Sequence, residues 1–159
     1  MFFLLLACFS CQSRKEPIAQ LQEQLCRDSV TLSDIERRYP ESIRDNFYWC
    51  DSMLQYLTKE QVGEYFTTLN LAQAYLGQFE DMLPVMQHDL SYTRQQLGNL
   101  QHDLDTHYLN DSLARVYLAD EVAVADTLHH RIVYFQDRLS SQDQELKALR
   151  KTISKAVSK

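Results

Sequence analysis

Between Val62 and Leu104, apolar residues recur at alternating spacings of three and four. One position of the repeat holds Val62, Leu69, Leu76, Leu83, Leu90, Leu97 and Leu104; three residues on stand Tyr65, Ala72, Phe79, Met86, Thr93 and Leu100. Such a two-position seam, sustained beyond about four heptads, predicts a long helix that buries one stripe against another helix, as in a coiled coil. Thr58-Lys59-Glu60-Gln61 reads as a capping box, in which the Thr and Gln side chains satisfy each other's end amides, and sets the helix start near residue 59. Pro84 inside the pattern predicts a bend, because proline removes a hydrogen bond and clashes with the preceding turn. Further apolar residues outside the seam (Phe66, Leu71, Tyr75, Met82, Val85, Tyr92) widen the sticky face and predict cover by N-terminal helices. Around the second half stand Gln95, Gln96, Gln101, His102 and Asp103, which predict a simpler two-helix contact there.

The seam fails at His107 and Asp111, consecutive seam positions that are both polar, and Asn110-Asp111-Ser112 are all N-cap formers. A turn near 107–112 is expected, then a second long helix from Leu113 to Val157 with the seam Leu118, Ala125, Leu128, Ile132, Phe135, Leu139, Leu146, Leu149 and Ile153. Folding back would bring Asp89 near Arg131. The repeat keeps its register across the turn, since Leu104, Asp111, Leu118, Ala125 and Ile132 are evenly spaced. A single continuous helix pairing in parallel is therefore the rival, and the local caps beside the seam defects favour the hairpin.

Upstream, residues 12–16 read as a polar tether, and Pro17 suits a first helical turn. Ile18, Leu21 and Leu25, with Cys26 beside them, give that helix its apolar face; Asp28-Ser29 predicts a break and Pro40 another. The next helix, Glu41 to Leu57, carries Ile43, Phe47, Tyr48, Trp49, Met53, Leu54, Tyr56 and Leu57. Aromatics at helical spacing predict an anchor between helices rather than a ligand platform. The expected fold is all-α: a long antiparallel coiled-coil helical hairpin over 58–159, with short N-terminal helices over 17–57 packed on its base.

All three glycines, Gly63, Gly77 and Gly98, share one heptad position with Asn70, Pro84, Ser91 and Asp105. Each glycine costs about 1 kcal/mol of helix propensity relative to alanine, so the stripe suggests a groove for a closely approaching helix, from this chain or a partner, with coincidence the competing reading.

The 159 residues suffice for one domain with a real core. With 45% hydrophobic and 24% charged residues the chain fits neither a disordered protein nor a multi-span membrane protein. A net charge of -6 argues against general nucleic-acid binding, which needs a basic footprint. The charge is uneven: no acid follows Glu145, but Lys147, Arg150, Lys151, Lys155 and Lys159 do. Such a tail could touch an anionic surface, although a helix C-terminus favours cations in any case.

Met1 to Cys11 form an apolar run ending in Cys8-Phe9-Ser10-Cys11, after which the chain turns polar at Gln12. The run is too short to span a bilayer, which takes about 20 residues, and fits a secretory signal. It resembles a bacterial lipoprotein signal, in which a small residue precedes a cysteine that is lipidated and becomes the new N-terminus. Cys11, after Ser10, is the favoured site; Cys8 in Leu5-Leu6-Ala7-Cys8 is the alternative, closer to the usual lipobox by residue type. No Lys or Arg precedes the run, a departure from that pattern. Cys26 and Cys50 would then be the remaining cysteines, either paired in an oxidising compartment or buried as thiols.

The five histidines do not converge in the heptad frame: His88 and His130 fall at the outermost position and His129 beside it, so solvated faces are expected rather than a zinc site. No phosphate loop, nucleophile elbow or supported catalytic set is present in the sequence, so no catalytic residue, metal, cofactor or small-molecule substrate is assigned. The chain resembles small coiled-coil lipoproteins of Gram-negative bacteria. That resemblance implies a non-enzymatic, lipid-anchored envelope protein acting as spacer, scaffold or adaptor, with the membrane, a protein partner or a second copy as its contacts. The alternative is a periplasmic binding or holdase module clamping clients with helical arms, similar to prefoldin-like and Skp-like chaperones, although their β-strands have no counterpart here. An intracellular coiled-coil adaptor is the reading if the N-terminal run is not a signal.

Overall fold

The computed structural model describes residues 6–158, with side-chain surroundings from Glu16 onward except at Asp111. Four helices follow one another: α1 (Leu6–Arg38), α2 (Pro40–Met53), α3 (Lys59–Asp105) and α4 (Asp111–Val157), with a single 3₁₀ turn at Leu54–Tyr56 after α2. The described residues include no strand. The fold is all-α, and its long helices pack against each other.

The seam of α3 is the buried stripe. Leu69, Ala72, Leu76, Phe79, Met86, Leu90, Thr93, Leu97 and Leu100 are buried, while Val62, Tyr65 and Leu104 at its ends, and Leu83 beside Pro84, are half-buried. On α4 the buried series runs Ala125, Leu128, Ile132, Phe135, Leu139, Leu146, Leu149 and Ile153. The capping box opens α3 as expected: Thr58 N donates to Gln61 Oε1 at 3.1 Å, and Gln61 N donates to Thr58 Oγ1 at 3.4 Å. Proline does not end the helix at Pro84, which lies inside α3.

The hairpin, not the continuous helix, is the form adopted. His107 takes a left-handed conformation (φ 56°), Tyr108 N donates to Asp103 O at 2.9 Å, and His107 N donates to Leu104 O at 3.3 Å. These bonds make a Schellman stop, which satisfies the last carbonyls of α3. Asn110 then caps α4, its Oδ1 accepting from Ser112 N at 3.1 Å and Leu113 N at 3.0 Å.

The N-terminal region differs from the sequence expectation. α1 is one helix of 33 residues, passing through the expected tether at 12–16, through Pro17 and through Asp28-Ser29. The reason lies in its register. Ile18, Leu21, Leu25, Asp28, Leu32 and Ile35 recur at the same three-four spacing and are all buried, so Asp28 continues the stripe rather than breaking it. Residues 1–5 of the expected signal segment lie outside the described residues, as do the side chains of Cys8 and Cys11. α1 gives way to α2 at Tyr39. Hydrogen bonds from Tyr39 N to Ile35 O (3.1 Å) and from Ile43 N to Tyr39 O (2.8 Å) bracket Pro40, which has no N–H to give.

The chain divides into two compact units, one of Met1–Val30 with Met86–Arg131, the other of Thr31–Val85 with Ile132–Lys159. In the first, each pair of helices is tied by a polar contact. Arg94 Nη2 donates to Leu25 O at 2.8 Å, His129 Nδ1 lies 2.7 Å from Asp28 Oδ1, and Arg131 Nη1 lies 3.6 Å from Asp89 Oδ2. The expected Asp89–Arg131 proximity is thus present. The second half of α3 faces α1 as well as α4, so the simpler two-helix contact is replaced by three helices.

In the second unit α2 inserts Pro40, Ile43, Asn46 and Cys50 into the core. Ser42 Oγ donates to Asp143 Oδ1 at 2.6 Å, Arg44 pairs with Glu80 at 2.8 Å, and Phe79 meets Phe135 edge-on with centroids 5.5 Å apart. The aromatics of α2 supply the expected anchor only in part, through Trp49, whose ring lies 4.8 Å from the Arg150 guanidinium of α4. Tyr48 is 66% exposed, and Phe47 and Trp49 are half-buried, because they flank the Ile43-Asn46-Cys50 stripe. The wide face of α3 is covered only in part: Tyr75 and Met82 are half-buried, whereas Phe66, Leu71 and Val85 are exposed, as is Tyr92 in the first unit.

Candidate functional site

Helix α4 leaves the Asn110 cap with its inward stripe made of small or half-buried residues, Ala114, Leu118, Glu121 and Ala125. Beside that stripe stand Leu113, Val116, Tyr117 and Val124, all exposed. Their spacings of three, one and seven place them on one side of the helix, with Asp120 among them. Isolated exposed apolar residues are ordinary, but a series at helical spacing is a contiguous surface suited to another protein. Full burial from water is worth about 1.5–3 kcal/mol per side chain; these are already about half covered, so about half of that remains for association. Sequence reading passed over it because it followed the seam, and the second apolar series runs alongside.

The remaining candidates fall out as follows. Cys26 is an exposed free thiol and Cys50 a buried one, so the two are not paired. Burial pushes the Cys50 thiol up to about 11, against a smaller opposing pull from the Arg150 guanidinium. That thiol is inert packing rather than a nucleophile, and its Sγ lies 4.0 Å from Leu146 O. Among the described residues nothing packs into the glycine groove: a Cβ built on Gly63, Gly77 or Gly98 meets no atom within 4 Å beyond its own stretch of helix.

His88 stacks on Tyr92 and lies 3.5 Å from Asp89. The ring of His130 donates to Asp126 O at 2.6 Å. His129 departs from its expected solvated setting, being half-buried against Asp28, whose second oxygen is buried without a partner. The signal for that pair was the register of α1, which puts an aspartate at an inward position. Among the described residues no three His, Cys, Asp or Glu side chains gather as metal ligands, and no helix is long and apolar enough to cross a membrane. Compared with protein-family models, with curated proteins and with solved structures, the chain shows no significant match.

Proposed function

We propose that the chain is a non-enzymatic envelope protein, anchored by lipid at Cys11 and working as a coiled-coil scaffold or adaptor. The observation that carries the adaptor role is the exposed stripe Leu113, Val116, Tyr117 and Val124. Four apolar side chains held on a capped helix present a fixed contact surface with little conformational entropy left to lose on binding. The anchor rests on the lipoprotein-like ending at Ser10-Cys11. The same stripe would also serve the holdase reading, since clamping arms need accessible apolar surface.

One experiment addresses anchor and role together. A photo-crosslinking amino acid is placed at Tyr117, or at Tyr56 in the other unit, in the full-length chain and its Cys11→Ala form within native envelopes, and intact masses are taken. The expected result is acyl mass on the parent chain and discrete adducts from position 117 that weaken in Cys11→Ala. Diffuse adducts with many proteins would favour the holdase. An unmodified soluble chain with no adduct would overturn both readings.

A further inference from the structure

Between α2 and the last third of α4, in the second unit, lies an open cleft of about 560 Å³ lined by Asn46, Lys147, Arg150, Lys151, Ser154 and Lys155. We propose that this cleft binds a phosphate group.

The cleft is strongly cationic. Four of the six lining residues are cationic, in a chain whose net charge is -6. Lys147, Lys151 and Lys155 follow one another at i, i+4, a spacing at which like charges repel and weaken a helix. Asp143 relieves only Lys147, at 2.6 Å. Lys151 and Lys155 have no ion-pair partner among the described residues. The helix macrodipole does not account for the series, because its effect falls off within the last turn and only Lys155 stands there.

One of its cations is also held in place. Arg150 is fixed in two ways: Nη1 donates to Asn46 Oδ1 at 3.1 Å, and the guanidinium stacks over the Trp49 ring at 4.8 Å. Its other N–H groups form a planar fork whose rotamer freedom is already spent, the geometry that suits a phosphate. Lys151 and Lys155 add charge from the next turns of the same helix. A cleft of this volume lies in the usual range for small-ligand sites. Two sources supply the group, an anionic phospholipid head or a soluble phosphate ester. The proposal does not depend on the lipid anchor.

Trp49 is the chain's only tryptophan and touches Arg150, so its fluorescence reads the site directly. The full-length chain in neutral detergent is titrated with inorganic phosphate against chloride at equal ionic strength, then with mixed micelles containing phosphatidylglycerol or phosphatidylcholine. A saturable change is expected, with at least tenfold weaker binding in Lys151→Gln/Lys155→Gln, a variant that keeps Arg150 and Trp49 and whose helicity is checked by circular dichroism. A Lys59→Gln control should bind as the parent does. Response to free phosphate assigns the soluble source; response to phosphatidylglycerol alone assigns the lipid head. No response to either, or an equal response from the double variant, overturns the proposal.

Discussion

Glu121 and Asp28 both stand where the repeat calls for an apolar side chain, and the molecule treats them differently. Asp28 is buried against His129, whereas Glu121 is half-buried with its carboxyl raised above the usual range, chiefly by burial and then by the adjacent Asp120. The raised carboxyl holds its proton more tightly folded than unfolded. Its penalty is therefore absent below the unfolded value and fully present above the folded one. Glu121→Gln should raise the urea midpoint at pH 7, and the gain should vanish near about pH 4, where the parent is itself protonated. An equal midpoint at pH 7 would mean that the carboxylate is solvated in the fold. At this scale the sequence was only partly legible. Leucines declare a seam on their own, but an aspartate in it reads as a break until its partner is known. For Asp28 that partner lies 101 residues away, and no local pattern points to it.

The ends of α3 and the start of α4 were the most legible, because capping is a local matter, whereas the ends expected at Pro17 and Asp28 lie inside α1. Thr58 and Gln61 bond as their spacing predicts, and of the cap formers at 110–112 it is Asn110 that accepts from Ser112 N and Leu113 N. The unslipped register across the turn was misleading because the heptad repeat carries no information about chain direction. What stops α3 is the left-handed His107, a conformation that only a few per cent of non-glycine residues adopt and that composition does not announce. The glycine stripe was legible as a pattern but not as a purpose. Gly98 is exposed inside α3, two turns before its end, with open space around it. Gly98→Ala should therefore stabilise the chain by up to about 1 kcal/mol through helix propensity alone, measured by chemical denaturation. If the stabilised variant lost self-association or crosslinking to a partner, the open position would be a docking groove for another chain after all.

α1, α3 and α4 each supply residues to both compact units, so the covalent continuity of three helices is expected to couple the stability of one unit to the other. Cys50 in the second unit tests this. It is fully buried and burial pushes its thiol up to about 11, so at pH 8 the folded molecule keeps it as the unreactive thiol. Unfolding restores an ordinary thiol, and alkylation then counts open molecules; Cys26, exposed throughout, reacts at once and serves as the internal reference. Asn110→Ala removes the cap of α4, in the first unit, at a cost of about 1 kcal/mol. If the molecule opens as one, that loss should speed iodoacetamide labelling of Cys50 about fivefold, the factor that corresponds to 1 kcal/mol, as read by peptide mass spectrometry. Unchanged Cys50 labelling alongside a measured loss of stability would show instead that the two units open separately and that helix continuity does not carry the coupling.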